Sequence, residues 1–343
     1  MNHHSSSDLS SEQGKEERKD VPGSKNKKTV KIAVCVILAV FLVLLLVSGT
    51  IIGIFYHYYS LINVSESDAD YYSAVSVTDQ TMEEFADANV ELPEEDIYSD
   101  SRVINILLIG TDERTEKFDP YARADSMMVL SLNKKTHSVK LVSLERGMTI
   151  KMPGNRYDLL THTFHYGGAK LVMQTVRTHF NLDVDRYIRV NFFVFQKLVD
   201  QVGGVDVTLT AAEANALNEI LEKKVTEGRN HLDGSSALQY ARLRSIDSDW
   251  HRIERQRNVI ASVKNSMKGQ SVGELNEMAT TCLPYVRTNL TSTEFADLLL
   301  NVTKYANGDF DQMTIPQKGT YHGLGDVDFA ANSEILRKFL YDQ

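Results

Sequence analysis

The sequence predicts an α/β fold: a three-layer α/β/α domain with a mixed central sheet, preceded by one transmembrane helix. Two observations lead to this prediction. An uncharged stretch of 25 residues lies at Ile32–Tyr56, and apolar runs with strand-like and helix-like periodicity alternate beyond Ser101. The chain has 343 residues, so residues 101–343 are long enough to form one large domain.

The stretch at Ile32–Tyr56 is long enough to cross about 30 Å of hydrocarbon as a helix. Seven Lys or Arg residues precede it, and none follows it until Arg102. The positive-inside rule therefore places residues 1–31, a basic disordered tail, in the cytoplasm and the rest outside the cell. A cleaved signal peptide is the alternative, but the stretch is too long for one and lacks a small-residue cleavage site. We expect a single-pass protein of the cell membrane, with residues 32–56 as its transmembrane helix.

Residues 57–100 are predicted to form an acidic extracellular stalk, since residues 61–100 hold 12 Asp or Glu and no Lys or Arg. Without the charges of the stalk and the tail, the net charge of −9 becomes close to neutral for the domain, which argues against nucleic acid as a partner. Cys35 lies in the anchor and Cys282 stands alone outside it, so the outer domain has no disulfide framework.

The elements of the domain follow from periodicity and turn residues. The polar NKKTHS segment joins two strands as a hairpin, and Gly203–Gly204 ends a helix. The predicted strands are Val103–Ile109, Ser126–Leu132, Val139–Leu144, Asp185–Val190, Val205–Leu209 and Gln312–Ile315. The predicted helices are Ala169–Phe180, Phe192–Val202, Ala211–Lys224, Ser235–Ala241, Asp249–Met267, Glu274–Thr281, Ser292–Tyr305 and Asn332–Tyr341.

Charged residues mark the ends of three predicted strands. Asp112 follows the first strand, Arg123 and Asp125 lead into the second, and Arg146 closes the third. Ligand groups of α/β folds commonly lie at such positions. Asp112 and Asp125 are candidates for one Mg²⁺ site, since Mg²⁺ takes one or two carboxylates together with phosphate oxygens and water. Helix capping or loop solvation is the alternative for each aspartate taken singly.

The segment Tyr240–Gln256, YARLRSIDSDWHRIERQ, is the most specific stretch of the chain. Arg242 and Arg244 are two apart and do not share a helical face, so the chain should leave the helix between them. Asp249 is placed to cap the next helix. One face of that helix is predicted to carry Arg252, Arg255 and Gln256, and the opposite face Ile253, Ile260 and Val263. A solvated charged helix is the alternative.

Together these residues predict an outward-facing pyrophosphate site beside a membrane. Arginine forks match pairs of phosphate oxygens, and carboxylates hold the cation that neutralises the remaining charge. The corresponding substrate class is a lipid-linked pyrophosphate. His162 and His165 lie three apart without a convincing third ligand, so the sequence favours polar or core histidines over zinc ligands.

The motifs resemble the LytR-CpsA-Psr family of bacterial cell-wall assembly proteins. They include NILLIGTD, RADSMMVLSLNKKTHSVKLVSLER, the YGG at Tyr166–Gly168, VNFFVFQKLVDQVGGVDV, LDGSSALQYARLR and DSDWHRIERQ. The resemblance implies that residues 101–343 form an extracellular catalytic domain whose apolar interior shelters a lipid tail. It implies an Mg²⁺-dependent enzyme that moves a glycan phosphate from a polyprenyl-pyrophosphate carrier to peptidoglycan, as in teichoic acid or capsule attachment.

The resemblance also implies roles for single residues. Asp112 and Asp125 match the metal-binding aspartates. Asp249 and Gln256 match further active-site positions, and either Asp125 or Asp249 is a candidate for the general base. With Arg146 these two aspartates form the expected catalytic set. The positions that match pyrophosphate-contacting arginines are Arg123, Arg146, Arg242, Arg244 and Arg252.

Two positions depart from the family pattern. Relatives usually follow the strand-end arginine with aspartate, where this chain has Gly147, and often carry a lysine where it has Leu159. The departures suggest one alternative, a non-catalytic polyprenyl-pyrophosphate-binding regulator of wall assembly. A secreted pyrophosphate hydrolase, in which water replaces the glycan acceptor, is a further alternative.

Overall fold

The computed structural model describes residues 52–64, 97–115, 122–152, 156–222 and 224–341. The predicted tail, most of the predicted anchor and most of the predicted stalk therefore lie outside the described residues. Residues 52–61 are helical. Within the described ranges, no helix combines the length and the apolar character needed to cross a membrane. The chain divides into two compact units, residues 1–55 and residues 56–343, and the fold below is that of the second.

Seven strands form the central sheet, in the order β1-β10-β7-β2-β3-β4-β11. The pairs β1/β10, β7/β2 and β4/β11 are parallel and the other neighbours are antiparallel, so the sheet is mixed, as predicted. Two small hairpins, β5/β6 and β8/β9, lie apart from it. The strands are β1 Asn63–Val64, β2 Val103–Thr111, β3 Ala124–Asn133, β4 Val139–Leu144, β5 Thr149–Lys151, β6 Tyr157–Leu159, β7 Arg186–Asn191, β8 Val205–Leu209, β9 Gly228–Leu232, β10 Arg287–Thr288 and β11 Phe310–Ile315.

Helices cover both faces of this sheet. They are α1 Leu160–Phe180, α2 Phe192–Gln201, α3 Ala211–Asn218, α4 Gly234–Arg242, α5 Asp249–Met267, α6 Val272–Cys282, α7 Ser292–Asn307 and α8 Phe329–Tyr341. Side chains alternate between the two faces along β2. Leu107 packs in a core with α1 and α8, whereas Ile106 packs in another core with Tyr305 of α7. The three-layer arrangement predicted from the sequence is therefore observed.

Helices α2 to α5 and the β8/β9 hairpin form a third core on the α7 side of the sheet. Its buried members include Val199 of α2, Leu217 of α3 and Val259 of α5. Strand β8 has the predicted bounds, but it pairs with β9 in this hairpin and does not join the central sheet.

Helices α1 and α3 differ most from their predicted bounds, each for a local reason. Helix α1 begins at Leu160, and the pair Gly167–Gly168, predicted to precede it, forms a kink inside it; the φ of Gly168 is 57°, a value that favours glycine. Helix α3 ends at Asn218, earlier than predicted. The Asn218 side chain bonds both the N–H and the C=O of Val225, at 2.8 Å each, and so turns the chain.

Candidate functional site

The strand ends that carry the predicted charges meet at one edge of the sheet. Strands β2, β7 and β4 run in one direction and β3 runs against them. The last residues of β2, β7 and β4 therefore lie beside the first residues of β3. A bulge between Gly110 and Thr111 shifts the register, and Thr111 pairs with Ala124. Such bulges change the direction of the side chains that follow them.

Three arginines and two aspartates form one ionic cluster at this edge. Arg146 lies at its centre, with Nη1 2.5 Å from Asp125 Oδ1 and Nε 3.1 Å from Asp249 Oδ2. Arg244 reaches the same two carboxylates at 3.6 and 3.7 Å. Arg252 lies 3.3 Å from Asp249 Oδ2. The structure thus brings together predicted residues from β3, the end of β4, the α4–α5 loop and α5.

Burial differs sharply among these groups. The side chain of Arg252 is 3% exposed, and that of Arg244 is 46% exposed. Burial, together with the charge of Arg146, lowers the pKa of Arg252 to about 10, so this guanidinium remains charged at neutral pH. Its Nε has no hydrogen-bond partner within the described part of the chain. Arg252 is therefore a buried cation with donor capacity left for a ligand.

Asp249 is not the helix cap that its position suggests. Ser248 is the N-cap residue of α5, and Asp249 is the first residue of the helix. Its carboxylate instead faces Arg146, Arg244 and Arg252. Burial acts to raise the pKa of Asp249, but the charges of Arg252, Arg146 and Arg244 outweigh it and lower that pKa below its ordinary value. The carboxylate is accordingly held ionised.

Arg255 does not share the face of Arg252. Its Nη1 and Nη2 lie 2.7 and 2.8 Å from the two carboxylate oxygens of Asp247, and it also bonds Glu213 and the Leu243 carbonyl. At about 100° per residue, a spacing of three places Arg255 on one side of Arg252, whereas a spacing of four places Gln256 on the other. The first side meets α3 and the second meets the cavity. Arg255 is thus part of the protein's packing.

A cavity of about 420 Å³ opens behind the ionic cluster. Its walls come from one face of the sheet and from α2, α4 and α5. Its inner lining is apolar and includes Leu108, Met128, Ile188, Val190, Phe192, Phe195, Leu198, Val199, Leu238, Ala241, Val259, Ile260 and Val263. Its polar boundary includes Asp125, Arg242, Arg244, Arg252 and Gln256. The site therefore joins an apolar chamber to a cationic mouth.

Several cavity residues could not be assigned from the sequence. Ile260 and Val263 were predicted to lie opposite Gln256 and to pack inward, but both line the cavity with it. Ile253, in contrast, is buried as predicted. Phe192 and Phe195 had no predicted role. The available signal was the VNFFVF run, in which α2 begins directly after β7 and carries both Phe192 and Phe195. Arg242 lies over the Phe192 ring, 4.5 Å from its centroid, and Arg244 has left the helix, as predicted.

Asp112 and Arg123 stand apart from the cavity lining. Both are exposed, and Asp112 Oδ1 accepts a hydrogen bond from the Arg123 backbone N–H at 3.2 Å. This contact matches the loop-supporting alternative for Asp112, and it leaves the second carboxylate oxygen out of the hydrogen bond. Asp125 likewise binds arginine through Oδ1. Two carboxylates on neighbouring strands, each with a second oxygen, fit the small number that Mg²⁺ requires.

The histidines form no metal site in the described ranges. His162 Nδ1 lies 2.7 Å from Asp158 Oδ1, and the Tyr166 hydroxyl donates to the other oxygen of Asp158 at 2.9 Å. No group of three or more His, Cys, Asp or Glu side chains that suits a metal ion occurs among the residues that the structure describes.

The chain is similar to known bacterial proteins in sequence and in fold. The LytR_cpsA_psr family matches residues 59–342. Polyisoprenyl-teichoic acid–peptidoglycan teichoic acid transferase TagU of Bacillus mycoides (strain KBAB4) is 33% identical over 250 residues, which cover 70% of this chain and 79% of that protein. The corresponding transferase TagT of Bacillus subtilis (strain 168) is 28% identical over 240 residues, 68% of this chain and 74% of TagT.

Solved structures share the fold. TagT bound to LIIa-WTA superimposes with a TM-score of 0.56 at 23% identity, covering 71% of this chain and 93% of that one. TagT with bound octaprenyl pyrophosphate lipid gives a TM-score of 0.53 at 21% identity, with the same coverage. The motifs, the sheet and the family match agree, and the chain belongs to the LytR-CpsA-Psr family.

Proposed function

We propose that this protein is a phosphotransferase that moves a glycan-1-phosphate from a polyprenyl-pyrophosphate carrier to peptidoglycan. The observation that carries the proposal is the apolar cavity of about 420 Å³ that opens directly onto the cluster of Arg146, Arg244 and Arg252. A lipid-linked pyrophosphate has the same two parts, an apolar chain and a charged head group. The name of the TagU relative describes transfer of teichoic acid from such a carrier to peptidoglycan.

The cavity size bears on how the lipid would bind. Ligand cavities of roughly 300–1,000 Å³ enclose one drug-sized molecule. A cavity of about 420 Å³ therefore accommodates the isoprene units next to the pyrophosphate and leaves the rest of a long polyprenyl chain outside. Most of the chain would then stay in the membrane. This agrees with the proposed arrangement, in which residues 32–56 anchor the protein and the domain stands outside the cell.

The arginines supply electrostatic stabilisation for the transfer. Attack at the sugar-linked phosphorus places negative charge on the bridging oxygen and on the departing polyprenyl phosphate. Arg146, Arg244 and Arg252 are positioned to bind that charge, which is the main contribution of a protein to phosphoryl transfer. Arg242 and Gln256 line the cavity together with Arg244 and Arg252 and are expected to contact the pyrophosphate from there. Arg123 is exposed, and its contact with the pyrophosphate stays a prediction.

Asp112 and Asp125 are the residues that we expect to hold Mg²⁺. When bound, the ion neutralises phosphate charge that the arginines leave uncompensated. The candidates for the general base are Asp125 and Asp249. Three arginines face Asp249 and lower its pKa, which makes it a weak proton acceptor. Asp125 is itself paired with Arg146 and Arg244 and is an expected Mg²⁺ ligand, so both carboxylates remain candidates.

The test uses the full chain in detergent or vesicles with a polyprenyl-pyrophosphate glycan, Mg²⁺ and a peptidoglycan oligomer. Released polyprenyl phosphate and the mass of the acceptor are followed together. An acceptor that gains the glycan and one phosphate supports the transferase. Release without a heavier acceptor identifies a hydrolase, and lipid binding without release identifies a non-catalytic regulator. Either of these two outcomes contradicts the proposal.

A further inference from the structure

Glu145 is a buried carboxyl group at the end of β4 that the sequence analysis passed over. It is 1% exposed, although glutamate is seldom buried without a partner. Its backbone N–H donates to the Ile315 carbonyl at 2.8 Å, which ties it to the end of β11. Arg146, the centre of the ionic cluster, is the next residue. The carboxyl group thus lies inside the protein, directly behind the candidate site.

The carboxyl group closes the turn that carries Arg146. Glu145 Oε1 accepts a hydrogen bond from the Gly147 N–H at 3.1 Å. The backbone adds two bonds, from the Met148 N–H to the Glu145 carbonyl at 3.2 Å and from the Thr161 N–H to the Arg146 carbonyl at 2.9 Å. Arg146 is therefore held between a side-chain bond on one side and the start of α1 on the other.

The same carboxyl group occupies the space that a side chain at position 147 would need. A Cβ atom built on Gly147 would lie 3.2 Å from Glu145 Oε1 and 3.0 Å from Leu324 Cδ1. Side chains at positions 145 and 147 therefore converge on one point of the turn.

The surroundings of Glu145 are those of the site itself. Its charge interacts with Asp249 and Arg252 of α5 and with Arg146. Its second oxygen, Oε2, has no hydrogen-bond partner among the residues that the structure describes. Burying a polar atom without a partner costs on the order of 1–3 kcal/mol. An apolar residue at position 145 would avoid this cost, so the carboxyl group is poorly explained by folding stability alone.

We propose that Glu145 is a positioning residue of the phosphate site, whose carboxyl group fixes the turn at Gly147 and thereby the direction in which Arg146 meets the pyrophosphate. The inference rests on the proposed function and deepens it.

The test compares the variants E145A and E145Q in the full chain. Misplacing Arg146 by about 1 Å should lower turnover by up to about 100-fold in E145A. E145Q keeps an acceptor for the Gly147 N–H and should recover most of the turnover that E145A loses.

Affinity for inorganic pyrophosphate separates this inference from the proposed function. The full chain and its variants are titrated with pyrophosphate alone, with circular dichroism as the folding control. Weakened binding in E145A that largely returns in E145Q supports Glu145, even if the parent protein transfers no glycan and the proposed function fails. Equal affinity of the parent and E145A overturns the inference. So does an E145Q variant that binds pyrophosphate as weakly as E145A.

Discussion

Arg252 and Arg255 lie three residues apart on α5, are equally buried, and should respond in opposite ways to the same substitution. Each is about 2% exposed. The Arg255 guanidinium makes four hydrogen bonds through its Nη atoms, whereas that of Arg252 makes one, to Asp249. The Nε of each arginine lacks a partner among the described residues. Replacement by methionine keeps most of the apolar part of the arginine side chain and removes the charge. R252M and R255M therefore serve as controls for each other.

For R255M, the cost comes from the partners left behind. Four hydrogen bonds are lost, to Asp247, Glu213 and the Leu243 carbonyl. Removing one member of a buried ion pair typically costs about 3–5 kcal/mol. The side chain of Asp247 is 20% exposed and can regain water, which favours the lower end of that range. A loss of about 3 kcal/mol lowers the melting temperature of a domain this size by roughly 6–12 °C.

For R252M, the expected change has the opposite sign. Burial and the charge of Arg146 lower the pKa of Arg252 from 12.5 to about 10. That difference corresponds to a penalty of roughly 3 kcal/mol on the charged form in the folded protein. Asp249 keeps its contacts with Arg146 and Arg244, so it is not left unpaired. Stability should stay equal or rise by up to about 3 kcal/mol, while pyrophosphate affinity falls.

Denaturant unfolding of the full chain in detergent, followed by circular dichroism, measures both variants, and pyrophosphate titration measures the site. The reasoning is refuted if R252M loses as much stability as R255M. It is equally refuted if R255M weakens pyrophosphate binding while its unfolding midpoint stays at the parent value.

Three further predictions test the site from other directions. R244A should reduce polyprenyl phosphate release strongly yet change the unfolding free energy by less than about 0.5 kcal/mol, since the side chain is 46% exposed. The control is R229A, which removes an arginine that is 79% exposed in the β8/β9 hairpin and should leave release unchanged. I260W should fill the cavity and weaken binding of a long-chain polyprenyl pyrophosphate while inorganic pyrophosphate still binds, and equal loss of both ligands would contradict the lipid role of the cavity. Burial raises the pKa of Glu145 above its ordinary value of 4.5, so the folded protein retains a proton that the unfolded chain releases. The free energy of unfolding should therefore fall as pH rises above about 4.5. In unfolding measurements at several pH values, E145Q should lack this contribution to the pH dependence.

Much of the fold could be predicted because its elements are long and periodic. The observed bounds of β4 and α5 equal the predicted ones, and the strand-end charges meet as the topology requires. Strands β1 and β10 have two residues each and carry no periodic signal of their own. They exist because each pairs with a neighbour that only the folded chain brings near.

The site was predictable where the motif is specific and the backbone geometry simple. The departure of Arg244 from the α4 helix followed from a spacing of two. The direction of Arg255 did not follow from spacing, because it depends on Glu213 and Asp247, which approach α5 only in the folded protein. Glu145 was missed for a related reason: a charged residue at a strand end resembles a surface residue until β11 and the 316–328 segment cover it.

The alternation of arginine and aspartate in the cluster has a consequence for selectivity. Without ligand, Asp125 and Asp249 already serve as counter-ions to Arg146, Arg244 and Arg252. An incoming anion must therefore compete with these two carboxylates for the arginines. The three arginines and two aspartates together carry a formal net charge of +1. Weakly charged anions such as chloride gain little by that exchange, whereas a pyrophosphate bridges several guanidinium groups at once. The cluster should therefore favour multiply charged anions such as pyrophosphate over small monovalent ones.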